Sequence, residues 1–394
     1  AISLAPRTCV SIKVLYRNQR EKENPVFVWS LMWRRFTAYA TVMILVSESE
    51  NGDRIPRSIA RPIHCERGCA MIAVTGGAGF IGSALVWELN RRGRDDVLIV
   101  DSFLDSAAWH NLLPLRFVEL MPPDEFLARI AGGSLNESLD GILHMGACSD
   151  TTQTDAAFMM RNNYRCTRSL AEWAIAKGKR FVYASSAATY GGGSVFSDDH
   201  SLLHSLKPLN LYAWSKHLFD CWALDTGALS HIAGLKFFNV FGPNEYHKGS
   251  MRSVALKAFE EICTTGQARL FQSYQDGIAD GEQRRDFVYV KEIVEMTLFV
   301  YFHPEQNGIF NAGSGEAHTF RELVEAVFCA MGRSPEIEYI EMPEQLRGVY
   351  QYYTRAEMRK LCTAGYQFRW VSLEDAVADY VRNYLLAEER FLHP

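Results

Sequence analysis

The chain has 394 residues, 48% hydrophobic and 22% charged, an ordinary globular balance with room for two or three domains. A net charge of −5 leaves no basic surplus for nucleic acid or an anionic membrane, so a small-molecule partner is favoured. Nine cysteines without paired metal-type spacing exclude a metal framework and read as buried thiols of a reducing compartment; a cytoplasmic protein is expected.

Residues 1–70 lack clear periodicity, carry a basic excess and end in a loop-like stretch containing Asn51, Gly52, Asp53, Pro56 and Pro62. The apolar segment 38–46 falls short of the ~20 residues needed to cross a bilayer and is read as non-targeting. Met71 then opens a short apolar run, 71–75, that reads as a buried strand. A first strand starting directly at a methionine suggests that Met71 is the natural initiator. On that expectation residues 1–70 are an upstream extension outside the native enzyme.

From Met71 onward, strands expected at 71–75, 97–101, 141–144, 181–185 and 232–239 alternate with helices such as 81–92 and 155–177. This alternation implies an α/β fold, a Rossmann-type doubly wound parallel sheet. A dinucleotide-binding domain is expected over 71–240. A smaller, mainly substrate-binding α/β part is expected over 241–394, with the chain crossing back to the first and a final helix over 372–386.

The first strand is followed by Gly76, Gly79 and Gly82, in the spacing GxxGxxG, at the mouth of the first helix. Glycine permits a tight turn and a close approach of backbone to a pyrophosphate at the helix N-terminus. Asp101, nineteen residues after Gly82 and at the end of the second strand, can hold a ribose hydroxyl. Further on, Tyr212 and Lys216 stand at i and i+4, one face of a helix. A free phenol titrates near ~10, and a neighbouring ammonium is expected to lower that value toward a useful acid/base. Upstream, the stretch from Ala184 to Gly191 supplies hydroxyls, of which Ser186 can donate to a reacting sugar oxygen.

Glycine loop, serine-rich strand end and YxxxK together resemble the extended short-chain dehydrogenase/reductase superfamily. The resemblance implies a catalytic set of Ser186, Tyr212 and Lys216, and a cofactor-side asparagine at Asn162. The run Phe238 to Met251, with its His247-Lys248-Gly249-Ser250-Met251 core, is more discriminating. With the 144–149 and 285–289 segments and the stretch from Leu346 to Tyr350, it is similar to the ADP-L-glycero-D-manno-heptose 6-epimerase family over 71–390.

That resemblance implies inversion of C6 of the heptose in an ADP-sugar destined for the lipopolysaccharide inner core, through a transient ketone. The cofactor cannot cross the site, so the ketone turns over and its oxygen needs a second acid/base, a role assigned to Lys248. Lysine's unperturbed pKa of ~10.4 suits it to donate a proton, whereas acting as a base requires burial or a nearby cation. Cofactor contacts are expected at Gly76, Gly79, Phe80, Ile81, Gly82, Asp101, Ser102, Met145, Gly146, Ala147, Cys148, Ser149, Asn162, Lys216, Val240 and Lys248. Substrate contacts are expected at Asn239, Ser250, Lys257, Phe271, Gln272, Ser273, Tyr274, Arg285 and Tyr350, with Arg285 a phosphate fork. For residues 271–274 a strand end packed on the core is an open alternative. A homo-oligomer is also implied.

The chain departs from the family pattern at four places. Met145 replaces a carboxylate, Lys257 stands where a histidine is usual, and the 275–284 loop, with its Gly- and Asp-containing 276–281, is longer than in some relatives. The family resemblance implies NADP, but the basic residues that help hold its 2′-phosphate are here Ala108 and Pro123, which makes NAD a competitor. Rival readings are a UDP-sugar 4-epimerase, a 4,6-dehydratase and a non-catalytic dinucleotide redox sensor. Ala187 and Ala188 stand where a dehydratase carries an Asp-Glu pair. A UDP-sugar epimerase has no need of Lys248, and redox sensors typically lose the tyrosine or lysine kept here.

Overall fold

In the first strand, Ile72 and Val74 point into one hydrophobic core and Ala73 into another; in the second, Val97 and Ile99 oppose Leu98 and Val100 in the same way. Side chains that alternate between two buried faces require a sheet covered on both sides, which is the condition for parallel strands with helical crossovers. The computed structural model describes residues 70–102, 107–348, 350–368 and 371–394. The extension expected over 1–70 therefore lies outside the described residues, save Ala70.

The strands are β1 (Met71–Thr75), β2 (Val97–Val100), β3 (Glu119–Met121), β4 (Leu139–His144), β5 (Arg180–Ser186), β6 (Ala233–Phe237) and β7 (Asn239–Phe241). They continue with β8 (Ala268–Phe271), β9 (Arg284–Arg285), β10 (Phe287–Tyr289), β11 (Gly308–Ala312), β12 (His318–Thr319) and β13 (Ile337–Ile340). The longer helices are α1 (Phe80–Arg91), α2 (Pro123–Ala131), α3 (Cys166–Lys177), α4 (Leu211–Asp225), α5 (Val254–Thr265), α6 (Val290–Phe302) and α7 (Phe320–Ala330). Seven strands form one parallel sheet in the order β11-β6-β5-β4-β1-β2-β3. The order reverses between β1 and β4, so a crevice opens there at the strands' carboxyl ends, where open α/β sheets bind their ligands. The expected doubly wound sheet is present, with β11 contributed by residues well beyond 240.

Two elements differ from expectation for visible reasons. The strand expected over 232–239 breaks at Phe238, whose N–H donates to Ala312 O at 3.1 Å. Beyond it Asn239 leaves the main sheet to pair in β7 with β10. The helix expected over 155–177 is also interrupted: a short turn, Ala156–Met159, runs into the π-helical turn Met160–Arg165 before α3 begins. Such π-helical turns are frequent at functional sites. Among the described residues no helix is long and apolar enough to cross a membrane.

The helix α4 is fixed to the sheet by a wholly buried ion pair. Lys236 of β6 donates to Asp220 of α4 at 2.7 Å, both side chains being 0% exposed. Asp220 also accepts from Tyr183 and Ser185 of β5 at 2.8 Å each, and Lys236 donates onward to Thr189 at 2.5 Å. Removing one partner of such a pair leaves an uncompensated charge and costs about 3–5 kcal/mol. Asp220→Ala is therefore expected to lower unfolding stability by about that amount in a denaturant titration. The double variant Asp220→Leu with Lys236→Met should recover much of the loss; a single variant within ~1 kcal/mol of the parent contradicts the assignment.

Candidate functional site

The glycine loop lies directly against the loop after β4. Gly76 adopts φ +63°, and a Cβ there would fall 2.8 Å from the Gly146 backbone. A Cβ on Gly82 would lie 2.0 Å from Gly76 O, so both positions admit only glycine. No side chain caps the first turn of α1, which leaves the backbone N–H groups around Phe80 and Ile81 facing outward at the helix's positive end. Asp101 accepts from Ala78 N at 2.9 Å through Oδ2, and burial raises its carboxyl pKa. Ser102 is exposed beside it. This cradle fits a dinucleotide pyrophosphate and ribose.

The Met145–Ser149 loop is held from beneath by a directional chain. Gly146 N donates to Thr75 Oγ1 at 3.1 Å, and Thr75 Oγ1 pairs with His144 Nδ1 at 2.7 Å. His144 Nε2 meets Thr167 Oγ1 at 2.9 Å, and that hydroxyl donates to Asn163 O at 2.5 Å. Burial holds His144 at a pKa of about 3, so it is neutral and serves as a spacer rather than a base. Asn163, fully buried by the π turn, clamps the loop at Cys148 N and Cys148 O, 2.9 Å each, and bonds Ser215 at 3.0 Å. Its neighbour Asn162, the expected cofactor-side residue, is exposed. Sequence reasoning missed Asn163, His144 and Thr167, although each lies within or beside a quoted motif.

Ser186 ends β5, while Tyr212 and Lys216 lie on successive turns of α4. Asn210 caps that helix by accepting from Ala213 N at 2.9 Å. Tyr212 is raised by burial, with a hydrogen bond to Ser186 acting to lower it. This corrects the expectation that the nearby ammonium would set the phenol's pKa: Lys216 Nζ instead donates to Ala184 O at 2.8 Å. Burial brings Lys216 itself down to about 8, against the opposing pull of Asp220. The phenol also senses Cys148, so this trio and the cofactor bed share one crevice.

Lys248 sits in the turn Tyr246–Met251, half-buried, with Nζ 5.3 Å from the Phe80 ring of the glycine loop. Burial lowers its pKa, partly offset by Glu245. Glu245 is buried and accepts from Gly242 N at 3.2 Å, Ser253 N at 2.6 Å and Ser253 Oγ at 2.7 Å. Asn111 joins the two loops, donating to Ala78 O at 2.9 Å and Asn244 O at 3.0 Å. Asn239 and Val240 stand together on β7. Ser250 is exposed, and its carbonyl accepts from Lys257 Nζ at 2.6 Å.

Arg285 is 6% exposed, lies 5.1 Å from the Tyr350 ring and 5.6 Å from that of Phe320, and among the described residues its guanidinium donates to Arg284 O at 3.0 Å. Burial lowers its pKa, and among the described residues no carboxylate faces it. A buried guanidinium without an anion is costly, so the position calls for one. Asp286 fixes this segment, accepting from Ser314 N, Gly315 N and Ala356 N at 2.7–2.9 Å. Residues 271–274 end β8: Gln272 N donates to Ile340 O at 2.8 Å and Ser273 N to Asp280 at 2.7 Å. Tyr274 lies under the Arg347 guanidinium at 3.9 Å. These contacts tie 271–274 to the longer loop and to the 340s rather than to Tyr212 and Lys216.

The model of the NAD dependent epimerase/dehydratase family matches residues 72–313. An ADP-L-glycero-D-manno-heptose-6-epimerase of Nitratidesulfovibrio vulgaris (strain DP4) is 53% identical over 323 residues, 82% of this chain and 100% of the relative. A protein of the same name from Fusobacterium nucleatum subsp. nucleatum is 42% identical over 332 residues, covering 82% of this chain and all of its own. The crystal structure of the Helicobacter pylori ADP-L-glycero-D-manno-heptose-6-epimerase superposes with a TM-score of 0.67 at 26% identity, over 82% of this chain and 98% of that one.

Lys216 gives the site a measurable signature. Its pKa is depressed to about 8, so the ammonium that attracts an anionic dinucleotide is present below that pH and lost as pH rises through it. Calorimetric titration should show affinity for the nicotinamide dinucleotide falling above pH ~8. Lys216→Met should flatten that dependence; a pH-independent affinity in the parent protein contradicts the role.

Proposed function

The chain belongs to the NAD dependent epimerase/dehydratase family, and within it to the ADP-L-glycero-D-manno-heptose 6-epimerases; from that premise we propose how its residues divide the work. It is an isomerase that inverts C6 of the heptose in ADP-D-glycero-D-manno-heptose, and its cofactor is a nicotinamide dinucleotide. The observation that carries the proposal is the pair of acid/base groups at one crevice: Tyr212 beside Ser186, and Lys248 against the glycine loop.

When bound, the nicotinamide accepts hydride from C6 and returns it. Tyr212, as phenolate, takes the proton of the C6 hydroxyl as the C6–H bond breaks, leaving a ketone. Ser186 holds the reacting oxygen, and its hydrogen bond counters the burial that raises the Tyr212 phenol, while Lys216 as ammonium holds the cofactor ribose. The ketone then turns about its bond to the sugar ring and presents its other face. As hydride returns to C6, the Lys248 ammonium gives the new alkoxide its proton. Burial lowers the pKa of Lys248, which makes it a better acid near neutrality than a free lysine. After the cycle Tyr212 holds one proton more and Lys248 one fewer, a difference restored by solvent.

Arg285, with Tyr350 against its face, takes the diphosphate, which supplies the anion its burial demands. Asn239, Ser250 and Lys257 hold the sugar side, and residues 271–274 close the rim. Residues 241–394 make up most of this substrate-binding part, with 71–240 the dinucleotide domain. On this reading the enzyme is a cytoplasmic homo-oligomer whose product enters the lipopolysaccharide inner core, as the family resemblance implies.

Incubation with ADP-D-glycero-D-manno-heptose, followed by NMR, should show the C6 epimer accumulating; turnover of a UDP-hexose instead overturns the reading. Lys248→Ala should lose about 10²–10⁴-fold in kcat, and full activity in that variant refutes the two-base scheme. Arg285→Met should raise KM by about 10- to 100-fold with a smaller effect on kcat.

A further inference from the structure

We infer that the dinucleotide site selects NAD over NADP, and that a rim of carboxylates around Asp101 makes the selection. The inference deepens the reading above and rests on the glycine loop being the dinucleotide cradle. In that geometry the 2′ position of the adenosine ribose lies at the carboxyl end of β2, where an acid takes a 2′-hydroxyl and a nearby arginine is needed to accept a 2′-phosphate.

The charged groups at that end are acidic. Asp101 N donates to Met121 O at 3.1 Å, so the carboxyl end of β3 and the start of α2 lie beside Asp101. An uncapped helix start can itself hold a phosphate, but α2 opens with Pro122 as N-cap and Pro123 at its first position. Neither has an N–H to offer. The next two residues, Asp124 and Glu125, fill the positive end of the helix with their own carboxylates.

The cations nearby in sequence are engaged elsewhere. Residues 102–115 contain no lysine or arginine, and they add one more acid, Asp105. Arg116 follows, but it pairs with Asp95 at 2.9 Å. Val118 N donates to Val97 O at 2.8 Å, which puts that segment at the amino end of β2, opposite Asp101. Arg129 pairs with Glu125 at 2.6 Å and with Glu119 at 3.3 Å. His110 turns Nδ1 to Ala107 O at 2.9 Å and stacks on Trp109 at 3.7 Å between centroids. A 2′-phosphate would thus meet Asp101, Asp124 and Glu125, and among the described residues next to them in sequence no free guanidinium or ammonium stands ready to hold it. A 2′-hydroxyl can donate to Asp101, whose carboxylate has about four acceptor sites, one more than the backbone bonds from Ala78, Gly79 and Ser102 use.

The test is nucleotide identity and affinity, not turnover. Mass spectrometry of nucleotide released by denaturing the purified protein should find NAD. Calorimetry on dinucleotide-stripped protein should give NAD+ a Kd at least ~10-fold below that of NADP+. Ser102→Arg and, separately, Asp124→Lys should each narrow that ratio, with folding verified by circular dichroism. Equal or tighter NADP+ binding by the parent, or a ratio unmoved by both folded variants, overturns the inference and leaves the epimerase assignment standing. Binding of neither dinucleotide overturns the cradle itself, and the inference with it.

Discussion

One buried carboxylate sets the geometry on which the chemistry depends. Asp220 has no exposed surface, yet it joins three elements: Tyr183 and Ser185 from β5, Lys236 from β6, and its own helix α4. Ser186 follows Ser185 directly, and Lys216 and Tyr212 lie one and two turns before Asp220 on the same helix. The height and rotation of α4 over the sheet are therefore fixed where an error would leave a charge unpaired in the core. Asp220 also counters the desolvation of Lys216, which keeps that ammonium titrating at about 8 rather than lower.

The same device recurs around the crevice. Asp286 collects three backbone N–H groups from two separate segments beside Arg285, and Glu245 ties the lysine-bearing turn to the start of α5. Asn244, at φ +77°, bonds Ser83 of α1 at 2.9 Å and Leu392 at 3.1 Å, so the chain's last residues brace the glycine loop. Asp286, Glu245 and Asn244 are each matched by specific donors or acceptors, which makes these loops stiff. A stiff frame with acid/base groups in different places suits a reaction in which the substrate, and not the protein, turns over. Arg285 is the exception, a buried cation that no carboxylate faces among the described residues.

Much of this was legible in the sequence because it rests on short-range rules. The alternation of apolar runs with helical stretches foretold the parallel sheet, and the glycine spacing foretold a loop that the Gly76 and Gly82 contacts confirm as glycine-only. What escaped notice depends on contacts between residues far apart in the chain. Lys236 sits inside an apolar run and looks like a strand interruption until Asp220 is seen opposite it. Asn162 is singled out by the family resemblance, whereas the role of its buried neighbour Asn163 depends on the π turn, which a regular helical pattern does not announce. The phenol of Tyr212 was expected to answer to Lys216, but a sequence cannot show that the lysine bonds the Ala184 carbonyl instead. Arg285 was picked out and Asp286 ignored, though the second positions the first.

The central claim is that hydride leaves C6 and returns to the same carbon within one enclosed site, with protons handled by side chains on different elements. The most direct measurement uses ADP-heptose deuterated at C6, mixed with an equal amount of unlabelled substrate carrying a distinguishing carbon label elsewhere, and reads the product by mass spectrometry. The account predicts that deuterium stays at C6 of the molecules that began with it, with no exchange between the two pools and no uptake from solvent. Loss of the deuterium to water would contradict it, since that outcome belongs to inversion by carbon deprotonation and needs no hydride transfer.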